Sequence, residues 1–166
     1  MKFKLMFTIL LFSFVLISAS STIRAQCDCI GQTSEIRGSR YSTALDELNH
    51  SEVVFIGEVI ETRNVATPPS SSGENIHEQE VRFKIQRAWK RAVEEYVTVI
   101  DNVDSCSIGI EKGDRYLVYA VADGNQLRTW YCSRTRLVAR AKKDLDEFKS
   151  SGVRPTKIKR VAAPKP

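Results

Sequence analysis

The placement of four cysteines constrains this chain more than any other feature. Cys27 and Cys29 form a close pair directly after an apolar leader, while Cys106 and Cys132 stand apart far downstream. No Cys-x-x-Cys metal set is present, so the arrangement reads as two long-range disulfides. Such bridges tie one short N-terminal segment onto the body of a small domain. Four cysteines allow three pairings, and sequence alone does not choose among them, although a Cys27–Cys29 bridge would be strained.

The leader fixes the expected compartment. Lys2 and Lys4 supply a positive start, Leu5 to Ile17 is almost wholly apolar, and small residues follow. This is the pattern of a secretory signal peptide, too short in its core to span a bilayer comfortably. Cleavage after Ala19 or Ala25 fits, and Ala25 is preferred, giving a signal peptide over 1–25. Gln26, not a small residue, precedes Cys27, so no lipid-attachment cysteine is indicated. The expected location is secreted or periplasmic, an oxidising environment in which an even cysteine count means bridges. No second apolar run is long enough to cross a membrane, so no span is expected after leader removal.

The chain carries 25 Lys+Arg against 20 Asp+Glu, but the excess sits at its ends. Lys2, Lys4 and Arg24 lie in the leader; Arg154, Lys157, Lys159, Arg160 and Lys165 lie in the tail; neither stretch holds an acid. The part between is therefore slightly acidic. No stacking aromatics are interleaved with the basic tail, so a nucleic-acid partner is not expected.

The remaining length fits one domain, 26–150, followed by a basic tail, 151–166, whose composition predicts disorder. Tyr41 to Asn49 reads as a short helix capped by Ser42, with Ala44, Leu45 and Leu48 on one face. Glu52 to Glu61 reads as a strand with apolar residues on both faces, and Gly57 inside it predicts a bulge or bend. Ala66 to Gly73 reads as a flexible loop. Glu80 to Trp89 alternates, with Val81, Phe83 and Ile85 opposed to Arg82, Lys84 and Gln86. Tyr96 to Asp101 is a third strand. Arg115 to Ala122 and Gln126 to Cys132 make a hairpin across Asp123-Gly124-Asn125. Leu137 to Lys149 is an amphipathic helix with Leu145 and Phe148 inward. The expected class is mainly β: a five-stranded OB-fold-like closed barrel flanked by short helices near 41–49 and 137–149. An open α+β sheet is the rival.

The catalytic inventory is thin. His50 and His77 are the only histidines, and neither has a second at ligand spacing. Pairing of all four cysteines leaves no thiol nucleophile. Ser105 and Ser107 lack a Gly-x-Ser-x-Gly elbow. Asp101 with Asp104, and Glu94 with Glu95, read as loop charges, and Asn49-His50-Ser51 is a formal glycosylation sequon. A non-enzymatic protein, a monomer with no cofactor and no metal of its own, is the expectation.

Five stretches, in order, carry a resemblance. Cys27-Asp28-Cys29 resembles the Cys-x-Cys opening of the tissue inhibitors of metalloproteinases. SEVVFIGEVIET (51–62) and VRFKIQRAWK (81–90) resemble that family's first two strands. DSCSIGIEKGDRYLVYA (104–120) and RTWYCSRTRLV (128–138) resemble the later segments that carry its bridging cysteines. Netrin-like modules share much of this pattern. The resemblance implies an OB-fold with bridges Cys27–Cys106 and Cys29–Cys132. Closing the first loop, of roughly 80 residues, would be worth about 4–5 kcal/mol. It also implies a mechanism, in which the first cysteine's free amine and carbonyl chelate the zinc of a secreted metalloendopeptidase. The implied wedge is Cys27, Asp28, Cys29 and Ile30, with Val103, Asp104, Ser105 and Cys106 beside it. The implied partner is a secreted zinc metalloprotease, or another extracellular protein if the chain acts as a netrin-like interaction module. The chain departs from the inhibitor pattern in four respects. With cleavage after Ala25, Gln26 precedes Cys27; Asp28 stands where the family has a small residue; a third domain bridge is not expected; and neither is a second domain after the tail.

Overall fold

The computed structural model describes residues 43–66, 77–91, 93–103 and 107–159. Helix α1 (Ala44–His50) begins at Thr43, whose extended backbone leaves its Oγ1 free to accept the Asp46 N–H at 3.0 Å. The cap is therefore Thr43 and not Ser42. Asp46 and Glu47 in the first turn suit the positive end of the helix dipole. Two further N–H groups of the first turn, those of Ala44 and Leu45, donate to the Glu147 carboxylate at 3.1 and 3.2 Å.

The body is mainly β. Strands β1 (Val53–Ala66) and β2 (His77–Lys90) are fourteen residues each, longer than their apolar cores suggest. They pair antiparallel to the far ends, Ala66 opposite His77. A two-residue strand β3 (Val93–Glu94) precedes β4 (Tyr96–Asn102), which pairs antiparallel with β2. Strand β5 (Arg115–Asp123) turns through Gly124, at φ +58°, into β6 (Gln126–Arg128). A short β7 (Arg136–Leu137) pairs with β5. One sheet holds six strands in the order β1-β2-β4-β6-β5-β7, and β1 also pairs with β5. The pairings thus return to their start through β1, β2, β4, β6 and β5.

The double-sided apolar character of β1 follows from this closure. Val53, Phe55 and Val59 join Val81, Phe83, Val99 and Val118 in one cluster. Val54 and Ile56, one position out of phase, join Leu117, Tyr119, Trp89, Leu48 and Phe148 in a second. A strand buried on both sides has no polar face to display. The pairing register with β2 shifts between Ile56 and Gly57, as a glycine inside an apolar strand predicts. A Cβ at Gly57 would lie 3.0 Å from the Phe83 Cβ and 3.2 Å from the Phe55 ring.

Three expectations are corrected in the C-terminal third. The second hairpin strand stops at Arg128 instead of reaching Cys132, because the chain turns away at Trp130, whose carbonyl accepts the Ser133 N–H at 2.8 Å. The expected helix over 137–149 is three pieces: β7, a 3₁₀ turn η1 (Val138–Arg140), and α2 (Lys142–Ser150). Pairing of Leu137 with Tyr116 takes the first residues for the sheet. The tail, expected to be disordered from Ser150, is tied down as far as Lys159. Gly152, at φ +72°, and Val153 close α2 with bonds to Lys149 and Phe148 carbonyls, a Schellman arrangement. The Thr156 N–H then donates to the Ala88 carbonyl at 2.7 Å, and β8 (Ile158–Lys159) pairs parallel with β3. Among the described residues no helix is long and apolar enough to cross a membrane. The loop predicted over 66–73 lies almost wholly outside the described residues.

Candidate interaction surface

Strands β4 and β6 run parallel, so the segments that follow them leave the sheet at the same end. Past Ile100, which pairs with Arg128, β4 leads to Val103. Past Arg128 the chain reaches Thr129, whose N–H donates to the Ile100 carbonyl at 2.9 Å, and then Cys132. The Val103 N–H is held by the His77 carbonyl at 2.7 Å. Its side chain is 40% exposed, the one large hydrophobic residue so exposed among the described residues. Cys132 is half-buried and is not a free thiol. The rest of the implied wedge and bridges, Cys27, Asp28, Cys29, Ile30, Asp104, Ser105 and Cys106, lies outside the described residues.

What holds this end is a buried polar network that the sequence reading missed. The Arg134 and Asp144 side chains are each 1% exposed and meet through two bonds, Nε to Oδ2 at 3.1 Å and a terminal nitrogen to Oδ1 at 2.7 Å. Burial drives the Arg134 pKa down, but the hydrogen bond and charge of Asp144 outweigh it and hold the guanidinium above its ordinary value. The Tyr119 hydroxyl donates to Asp144 Oδ2 at 3.0 Å. Burial first, then the Asp144 charge, push that phenol far above its ordinary range. The Arg134 N–H donates to Glu47 of α1 at 3.0 Å. Thr129, Ser133 and Thr135 complete the knot: Thr129 Oγ1 lies 3.0 Å from Ser133 Oγ and 2.8 Å from Thr135 Oγ1, which accepts the Tyr119 N–H. The Cys132 loop is thereby fastened to β5, α1 and α2 at once. One signal was available: Asp144 lies one turn from Phe148 on the inward face of α2, where an unpaired carboxylate would not be tolerated.

Beside this loop lies a cavity of about 450 Å³, lined among others by Tyr116, Tyr131, Arg136 and Arg140, with Glu111 and Asp114. Arg136 donates from Nε to the Arg134 carbonyl at 2.7 Å. Burial holds its pKa below the ordinary value, partly offset by the Asp144 charge and reinforced by that of Arg134.

The remaining candidate residues are dispersed. His50 Nδ1 lies 2.7 Å from the Asp46 carbonyl of its own helix, and His77 opens β2. Asp101, read as a loop charge, is buried on β4, while Glu94 is exposed on β3. Asn49 of the sequon is exposed, but Ser51 is buried and its hydroxyl donates to the Glu47 carbonyl at 2.7 Å. Among the described residues no three His, Cys, Asp or Glu side chains stand together as a metal site. No protein-family model matches the chain, and no curated protein matches it significantly in sequence.

Proposed function

We propose that this is an exported binding domain that inhibits a zinc metalloendopeptidase through its N-terminal Cys-x-Cys segment. The observation that carries the reading is the shared exit of β4 and β6 at one end of the sheet. It brings exposed Val103, which directly precedes Asp104-Ser105-Cys106, and the Cys132 loop to neighbouring positions. Bridges Cys27–Cys106 and Cys29–Cys132 would then pin residues 27–30 to that end, beside Val103. The ring of pairings through β1, β2, β4, β6 and β5 supports the OB-fold-like barrel that such a domain requires. Pinning both flanks of a short segment lowers the entropy cost of inserting it into a cleft. The amine at the mature N-terminus, neutral in part near pH 7.7–8.0, would be the zinc ligand.

One observation favours a second reading, an interaction module without inhibition. Cleavage after Ala25 leaves Gln26 ahead of Cys27, and no cysteine amine is then exposed. Intact mass of the exported protein, with an inhibition assay against zinc endopeptidases, separates the two. A start at Cys27 with nanomolar inhibition supports the first; a start at Gln26 without inhibition supports the second and overturns the first.

A further inference from the structure

We propose that the cavity beside the Cys132 loop is a receptor for a peptide carboxylate, with Arg136 as its anchor. The inference goes beyond the reading above and does not depend on it. The Arg136 side chain is half-buried in the wall of the cavity. Its Nε is spent on the Arg134 carbonyl, and among the described residues its two terminal nitrogens bond nothing. The neighbouring Arg134 is matched by Asp144, whereas Arg136 has no carboxylate within ion-pair distance among the described residues. A partly desolvated guanidinium with a free pair of in-plane donors is matched best by a planar, singly charged oxyanion held by both. The cavity also supplies what such a ligand's stem needs. Tyr116, Tyr131 and Leu137 offer apolar wall, and exposed Arg140 adds a second positive charge at the rim. Glu111 and Asp114, which also line the cavity, set a limit on ligand charge. They repel a doubly charged phosphate more than a carboxylate, which selects within the anions.

The carboxylate could come from a chain terminus or from an Asp or Glu side chain. Nuclear magnetic resonance of the full exported chain, disulfides intact, tests the site with three probes: acetyl-triglycine, its C-terminal amide, and acetyl-Gly-Asp-Gly amide. The Arg136 Nε–H and the amides of 131–137 are expected to shift saturably with a carboxylate probe and not with the acetyl-triglycine amide. Response to acetyl-triglycine alone identifies a terminus; response to the Asp peptide alone identifies a side chain. Arg136→Gln should weaken binding at least tenfold, and Arg136→Lys, which keeps the charge and loses the fork, severalfold. Removing the opposing charges with Glu111→Gln and Asp114→Asn should tighten binding severalfold, a sign that survives if the Gln variant does not fold. Absence of a saturable shift with both carboxylate probes, or unchanged affinity in Arg136→Lys and in the double variant, would overturn the proposal.

Discussion

Arg134 and Asp144 decide whether the Cys132 loop has a fixed position. Each is a charge withdrawn from water, tolerated because the other neutralises it through two bonds and because the Tyr119 hydroxyl donates to Asp144 as well. Replacing Arg134 by Met leaves Asp144 buried without its cation, and the expected cost is about 3–5 kcal/mol in chemical denaturation. Replacing both Arg134 and Asp144 by apolar residues of similar volume should cost much less, because no orphan charge is left. Tyr119 links the same network to pH. Its folded-state pKa lies above the unfolded value near 10, so the neutral phenol contributes stability that is complete below about pH 10 and is lost as pH rises further. Stability should fall above about pH 10, and Tyr119→Phe should flatten that fall while lowering neutral-pH stability by about 1–2 kcal/mol. An identical alkaline profile in the two proteins would contradict the assignment. None of these partners could be paired from sequence, since Glu47 meets Arg134 across 87 positions. The chemical hint, an Asp on the apolar side of a helix, names the residue but not its cation.

Elements were legible where period and packing agree. Alternation in β2 gives its buried face directly, and Asp-Gly-Asn marks the β5–β6 turn, which closes at Asp123 opposite Gln126. They were not legible where tertiary pairing overrides local preference: Leu137 fits the helical pattern but is taken, with Arg136, by β5. The tail is the larger miss. Its composition predicts disorder, yet Thr156 bonds the Ala88 and Arg91 carbonyls at 2.7 Å each, and the Glu95 N–H donates to Lys159 at 3.0 Å. Deleting 154–166 should therefore speed hydrogen exchange around Glu95 and lower stability by about 1–2 kcal/mol, at roughly 1 kcal/mol per bond less the ordering cost. Unchanged exchange there would contradict the pairing. Gly57 has no room for a side chain. Gly57→Ala must displace Phe83 at its Cβ, which a flexible side-chain tip could avoid and this atom cannot. The expected loss in thermal or chemical denaturation is about 1–3 kcal/mol.

At the scale of the molecule, a sheet that closes on itself sends two segments out at one end, and the proposed function is built there. Val103 is exposed beyond the last residue of β4 and belongs to neither core cluster of the described residues. Val103→Glu should abolish or weaken partner binding tenfold or more while leaving the melting temperature unchanged; a variant that binds normally would remove Val103 from the surface. The mainly β class was legible from the strand patterns, but the parallel β4–β6 contact was not, because it rests on one pairing, Ile100 with Arg128, between strands far apart in sequence. The central claim is that oxidised sulfur fastens the new N-terminus to this end. Peptide mapping of the non-reduced exported protein by mass spectrometry tests it most directly. Peptides joined Cys27 to Cys106 and Cys29 to Cys132 are predicted; free thiols, or a bridge between Cys106 and Cys132, would contradict it.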